Sequence, residues 1–166
     1  MALLSKQEYI ISGKHSSHID ALEKCKAFEH HWQIYVVAPL IGFIYKRQAS
    51  PDISTDYPPS KIMLNQLLDR QEQILFNYRL IMLKDDIYEP NIQERIKKAF
   101  STMDTEEAKP DEELFNKYLL GGIEVLYEKI IKNNTDINKI LENIGQFIEE
   151  LSVGSSSLID EFDIKI

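Results

Sequence analysis

The chain has 166 residues, 43% of them hydrophobic and 28% charged, which is the size and balance of one globular domain. A formal net charge of −8 argues against extensive contact with nucleic-acid phosphates, and the single cysteine, Cys25, excludes an internal disulfide. The longest apolar run, Trp32 to Tyr45, is interrupted by Gln33 and Pro39 and falls short of the roughly 20 residues a membrane span needs.

The opening stretch MALLSKQEYI meets a lysine and a glutamate too early for a signal peptide's apolar core, so the expectation is a soluble, cytoplasmic protein. Residues 1–13 read as a short strand or extended arm at Glu8-Tyr9-Ile10-Ile11, ending at Gly13. Ser17, with Asp20 three residues on, reads as the N-cap of a first helix reaching about Lys26. A second helix, Glu29 to Tyr45, is apolar on nearly every face, as the buried centre of a bundle is. Pro39 predicts a kink near Tyr35, and Gly42 leaves room for a neighbouring helix. A proline-containing loop over 48–59 follows. Ser60 is expected to cap a long third helix whose apolar face includes Met63, Leu67, Ile74, Tyr78 and Ile81. Pro90 reads as the first residue of a fourth helix with Ile92, Ile96, Phe100 and Met103 on one side and Arg95, Lys97 and Lys98 on the other. Pro110 with Asp111, Glu112 and Glu113 opens a fifth helix to about Lys132. Asn133-Asn134-Thr135 turns into a sixth, with Ile137, Ile140 or Leu141, Ile144, Phe147 or Ile148, and Leu151 at three-four spacing. A serine-glycine linker at 154–157 then leads to the apolar, acidic tail LIDEFDIKI. The architecture read from this pattern is all-α: a bundle of about six helices over 1–153, with a kinked central apolar helix and a tail over 154–166.

Candidate sites are few. His15, His18, His30 and His31 all fall in the first fifth of the chain, and folding the first two helices together would bring some of them, with Glu29, toward one metal. Against this, His30 and His31 are adjacent and point about 100° apart on a helix. Cys25 lies beside Lys24 and Lys26 but reads as a small buried apolar residue. No phosphate-loop, dinucleotide, zinc or nucleophile-elbow string occurs, and no catalytic residue, metal ligand or cofactor is assigned. Gly121-Gly122 inside a helix costs about 1 kcal/mol per glycine relative to alanine, which predicts a close crossing, by the second helix, at that point. Lys46, Arg47, Arg95, Lys97 and Lys98 are the cations that a nucleic-acid contact would use.

Phe28, the apolar helix ending in Gly42-Phe43, the pair Lys46-Arg47 and Tyr118-x-x-Gly121-Gly122-Ile123-x-x-Leu126 together resemble a small bacterial family. These are the helical accessory proteins associated with DNA phosphorothioation (Dnd-type) modification and restriction systems. In that family the glycine-phenylalanine is followed by a more basic turn, whereas here Ile44-Tyr45 precede Lys46-Arg47. The resemblance implies no catalytic residue. It implies a setting, defence against foreign DNA through partner proteins. The leading expectation is a non-enzymatic adaptor acting by protein–protein contact. The alternatives are a nucleic-acid binder using the five cations and a metal-dependent hydrolase using the N-terminal histidines. An apolar tail on a helical bundle also suits a homodimer.

Overall fold

The computed structural model describes residues 8–131 and 134–160, with side chains described as far as Val153. Seven α-helices and one two-stranded sheet make up these residues, an all-α bundle with a β appendage. In chain order they are β1 (Glu8–Ile11), α1 (Gly13–Lys24), α2 (His31–Ile44), β2 (Ser60–Met63), α3 (Leu64–Leu68), α4 (Gln71–Lys84), α5 (Ile92–Phe100), α6 (Lys109–Leu126) and α7 (Ile137–Asp160). A 3₁₀ turn, Glu106–Ala108, leads into α6, and a π-helical segment, Tyr127–Ile131, continues it.

The interface between α2 and α6 is the most extensive among the described residues. Small residues make it close. A Cβ added to Gly42 would collide with the Tyr118 carbonyl and lie 3.0 Å from Gly122 N; one added to Gly122 would collide with the Ala38 carbonyl. The end of α2 is delivered onto the same helix. Arg47 N–H donates to Gly42 O (2.8 Å) and Lys46 N–H to Phe43 O (3.0 Å), the paired bonds that close a helix C-terminus. Lys46 occupies the left-handed position (φ 51°) where glycine is usual, and the Arg47 carbonyl then lies over Gly121. Around this crossing, Tyr35, Tyr78, Phe115, Ile34 and Leu119 are fully buried.

Pro39 stays within α2, where it can donate no bond to the carbonyl four residues back. The polar side chain met nearby is Asn77 of α4, whose Nδ2 donates to Val36 O at 2.7 Å.

Several boundaries differ from the sequence expectation. Ser17 is interior to α1, which starts at Gly13 with φ 61° after Ser12; Lys14 N–H donates to Asp52 Oδ2 at 2.8 Å, and a Cβ on Gly13 would strike that side chain. Ser60 caps nothing. It begins β2, which pairs antiparallel with β1, Tyr9 opposite Ile62 and Ile11 opposite Ser60. Pro58-Pro59 hold the chain extended just before it, and the alternation of buried Ser60 and Ile62 with exposed Lys61 and Met63 is too short to outweigh the helical pattern that follows. The expected third helix is therefore two, parted at Asp69-Arg70. Pro90 lies before the cap of α5, which is Asn91, whose Oδ1 accepts from Gln93 N–H at 2.9 Å. At the far end, α7 runs on to Asp160, so 154–157 are helical rather than a linker; helix propagation from a long amphipathic stretch outweighs one glycine. Residues 161–166 of the expected tail lie outside the described residues, as do residues 1–7 of the arm.

Candidate functional site

The four histidines separate into two groups. His31 Nε2 lies 3.0 Å from Glu23 Oε2 on the outer side of α1. His30 precedes α2 as its N-cap, its N–H donating to Gln33 Oε1 at 2.9 Å; Glu29 uses only its backbone N–H there. His15 and His18 sit on the inner face of α1 with ring centroids 6.4 Å apart. Among the described residues no group of three or more histidine, cysteine or acidic side chains is arranged to hold a metal, because the helix that carries His15 faces α6 rather than the start of α2. Cys25 closes α1, half-buried, with its thiol directed to Leu22 O at 3.3 Å.

What His15 meets instead is an ion cluster that runs from its buried ring out to the surface. Its ring is fully buried, and Nε2 lies 3.1 Å from Glu124 Oε1. Glu124 also takes Lys14 Nζ at 2.7 Å and Arg47 Nη1 at 3.4 Å, and Arg47 makes a two-pronged pair with Glu128 at 3.2 Å on each arm. His18 stacks on Tyr127, the first residue of the π-helical segment, at 4.0 Å and 10° between planes. The Nδ1 atoms of both histidines are buried without a hydrogen-bond partner among the described residues. Burial pulls the pKa of His15 and His18 below the ordinary histidine value, more strongly than Glu124 pulls it up. Burial also opposes ionisation of Glu124, but Lys14 and His15 together override it and leave that carboxyl below its usual value.

Three of the five cations named from sequence are held by acidic side chains. Arg47 is taken by Glu124 and Glu128, Lys97 by Glu107 at 3.5 Å, and Lys98 by the buried Asp111 at 2.8 Å. Arg95 has a buried Nε without a hydrogen-bond partner among the described residues. Lys46 stands at a cleft of about 900 Å³ between the ends of α2 and α4 and the start of α6. That cleft mixes Lys84 and Lys117 with Asp86 and Glu113, so it presents neither sign of charge. At its floor Tyr118 donates to Asp85 Oδ2 at 2.7 Å, and burial with that carboxylate pushes the phenol up to about 12.

The surface that stands apart is apolar. A groove of about 650 Å³ runs between α2 and α4, floored by Val36, Leu40 and Ile41, with Val37 and Ile44 on one wall, Phe76 on the other and Leu151 of α7 at its end. Glu72 is its one charged lining residue, with Gln73 and Asn77 beside it. Phe76 is 62% exposed and Ile44 51%. Past Phe76 the apolar surface continues over Leu75, Leu80 and Leu83 to Phe100 of α5, where Arg79 lies 5.3 Å over the ring. On α5 the outward stripe is Ile92, Ile96 and Phe100, all exposed, because Lys98 is turned inward to Asp111 and the small Ala99 fills the contact with the bundle. Nothing in the groove offers a nucleophile beside a base. Its chemistry is that of binding: apolar side chains without partners, at a scale that accepts several side chains of another molecule. From sequence, Val37 and Ile44 were indistinguishable from their buried neighbours on a helix that is apolar all round.

No helix among the described residues is long and apolar enough to cross a membrane. Comparison with protein-family models, with characterised proteins and with solved structures finds no match.

Proposed function

We propose that this chain is a non-enzymatic adaptor that works by holding a partner protein, with apolar side chains of the partner's helix seated in the groove between α2 and α4. The observation that carries this reading is the groove itself: Val37, Ile44 and Phe76 stand exposed around an apolar floor, far from any pairing of nucleophile and base. Exposed apolar patches of this kind mark association surfaces on a chain otherwise as charged as this one. Glu72 at the lining and the net charge of −8 favour a partner with basic residues beside its apolar ones. The resemblance to accessory proteins of DNA phosphorothioation systems supplies the first candidates for that partner, the modification and restriction subunits of a bacterial defence assembly, and a cytoplasmic site of action.

The test compares purifications of tagged wild type with the groove variants Phe76→Glu and Val37→Glu from the native host. The control is Ile53→Glu, at an exposed position that does not line the groove. A stoichiometric partner retained by wild type and by Ile53→Glu but lost from both groove variants is the expected result. Recovery of the wild-type chain alone, or equal recovery of the partner by all four proteins, overturns the reading.

A further inference from the structure

The apolar face of α7 is wider than the surface the bundle covers. At about 100° per residue, the buried Ile140, Asn143 and Phe147 centre on one line of the helix, and Ile137, Leu141 and Ile148 on another roughly 100° away. The first line is anchored: Asn143 Nδ2 donates to Ile130 O at 2.9 Å, Phe147 lies 6.0 Å from the Tyr45 ring, and Lys129 reaches Glu150 at 2.8 Å. The second is uncovered among the described residues, with Ile137, Leu141 and Ile148 51%, 59% and 57% exposed. With the half-buried Ile144 and Leu151, these residues recur at steps of four, three, four and three, the period of about 3.5 that a second helix reads as a continuous seam. Gly145 borders the seam on its open edge, and no described residue lies within 4 Å of where its Cβ would be, so a second helix can come close there. Leu151 joins the seam to the end of the α2–α4 groove.

Charge decides what fits. Beyond Gly145 the open flank carries Glu142 and Glu149, both exposed, and Lys139, the only lysine or arginine in α7, lies on the side away from the seam and is held by Glu142 at 3.1 Å. A second copy laid antiparallel along the seam would set these acids against their own counterparts. A helix whose apolar line is flanked by lysine or arginine would meet them as opposite charges.

We propose that Ile137, Leu141, Ile144 and Ile148 of α7 form a docking seam for an amphipathic partner helix with a basic flank. This deepens the adaptor reading and rests on it for its biological meaning. The partner helix packs knobs-into-holes along α7, is held in register by the Gly145 notch, and directs its basic flank to Glu142 and Glu149.

The test uses the full chain and two fluorescent three-heptad peptides of leucine seam, one flanked by lysine and one by glutamate. Anisotropy titration is expected to show the lysine peptide binding at least tenfold more tightly, with the difference shrinking as salt rises. Leu141→Asp and Ile148→Asp, which replace exposed side chains, weaken it at least tenfold with an unchanged melting curve, and E142K/E149K reverses the preference. Equal binding of the two peptides, no binding of either, or a wild-type dimer in sedimentation that Ile148→Asp dissociates overturns the proposal. Phe76→Glu separates the two readings. Loss of peptide binding in that variant rather than in Ile148→Asp moves the site to the groove and ends the seam. An intact peptide result, together with full partner recovery by Phe76→Glu, keeps the seam and ends the groove.

Discussion

Asn77 is nearly fully buried on α4, and it earns its place through one bond, from Nδ2 to Val36 O, one residue past the carbonyl that Pro39 leaves without its usual donor. Substituting Asn77 by alanine removes that bond at the edge of the α2–α4 groove, and the expected loss is about 1 kcal/mol in urea denaturation. If Asn77→Ala unfolds at the wild-type midpoint, water has replaced the bond at no cost. A second residue sets the response to acid. His15 is buried and neutral, with its pKa below the ordinary value near 6.5, so the unfolded chain binds a proton that the folded chain resists. Stability from this group is present above that value and declines as pH falls through it. Glu124, with its carboxyl lowered, adds stability that is lost at still lower pH. The groups facing His15 are Lys14, Asp52, Glu124 and His18, of which only His18 titrates in the same range and in the same direction. Denaturation between pH 7 and 5 is therefore expected to show a falling midpoint in wild type and a shallower fall in His15→Gln, whose amide can still donate to Glu124. Parallel slopes would show that His15 keeps its ordinary pKa in the fold.

The helices differ in how closely their backbones approach, and glycine substitutions read that difference directly. At Gly122 a methyl group would occupy the position of the Ala38 carbonyl, and 2.9 Å away is Gly42 N, so backbone must move. Gly122→Ala is expected to cost about 3 kcal/mol, at the upper end for overpacking, despite its gain in helix propensity. Gly145 lies equally deep inside a helix but faces open space, and Gly145→Ala is expected to stabilise the chain by about 1 kcal/mol. Opposite signs in chemical denaturation are the result to look for; equal effects would mean that α2 and α6 are not in backbone contact. At this scale the sequence was most legible where composition is extreme. Two consecutive glycines inside a helix call for a close neighbour, and α7 is written in its three-four spacing, whereas α2, apolar on every side, is buried on one face only and lines the groove with Val37 and Ile44 on the other. It was least legible at β2. Four residues after Pro58-Pro59 alternate in burial, yet Ile62 and Met63 also extend the helical pattern of Leu64 and Leu67, and only pairing with Glu8–Ile11, about fifty residues earlier, decides between the two.

Across the whole molecule, what could not be read from sequence is which apolar residues stay uncovered. Ile92, Ile96 and Phe100 form a stripe as regular as any core face, but the buried Asp111 draws Lys98 inward, and the stripe faces out. The groove and the α7 seam arise in the same way, from an arrangement of helices that leaves apolar lines without a neighbour among the described residues. That arrangement is uneven in strength. The α2–α6 crossing is the most extensive contact, whereas the π-helical segment is the one element with which α7 shares a substantial interface among the described residues. Local opening free energies follow such differences in buried contact. Amides of α7 beyond Phe147 are therefore expected to exchange with solvent through a local opening, orders of magnitude faster than those of α2 and α6, which should exchange only on global unfolding. Mass-spectrometric hydrogen exchange on the free chain measures this, and adding the lysine-flanked peptide should slow exchange in α7 selectively. Protection of α7 equal to that of α6 in the free chain would mean that the bundle alone already holds the helix as firmly as its core.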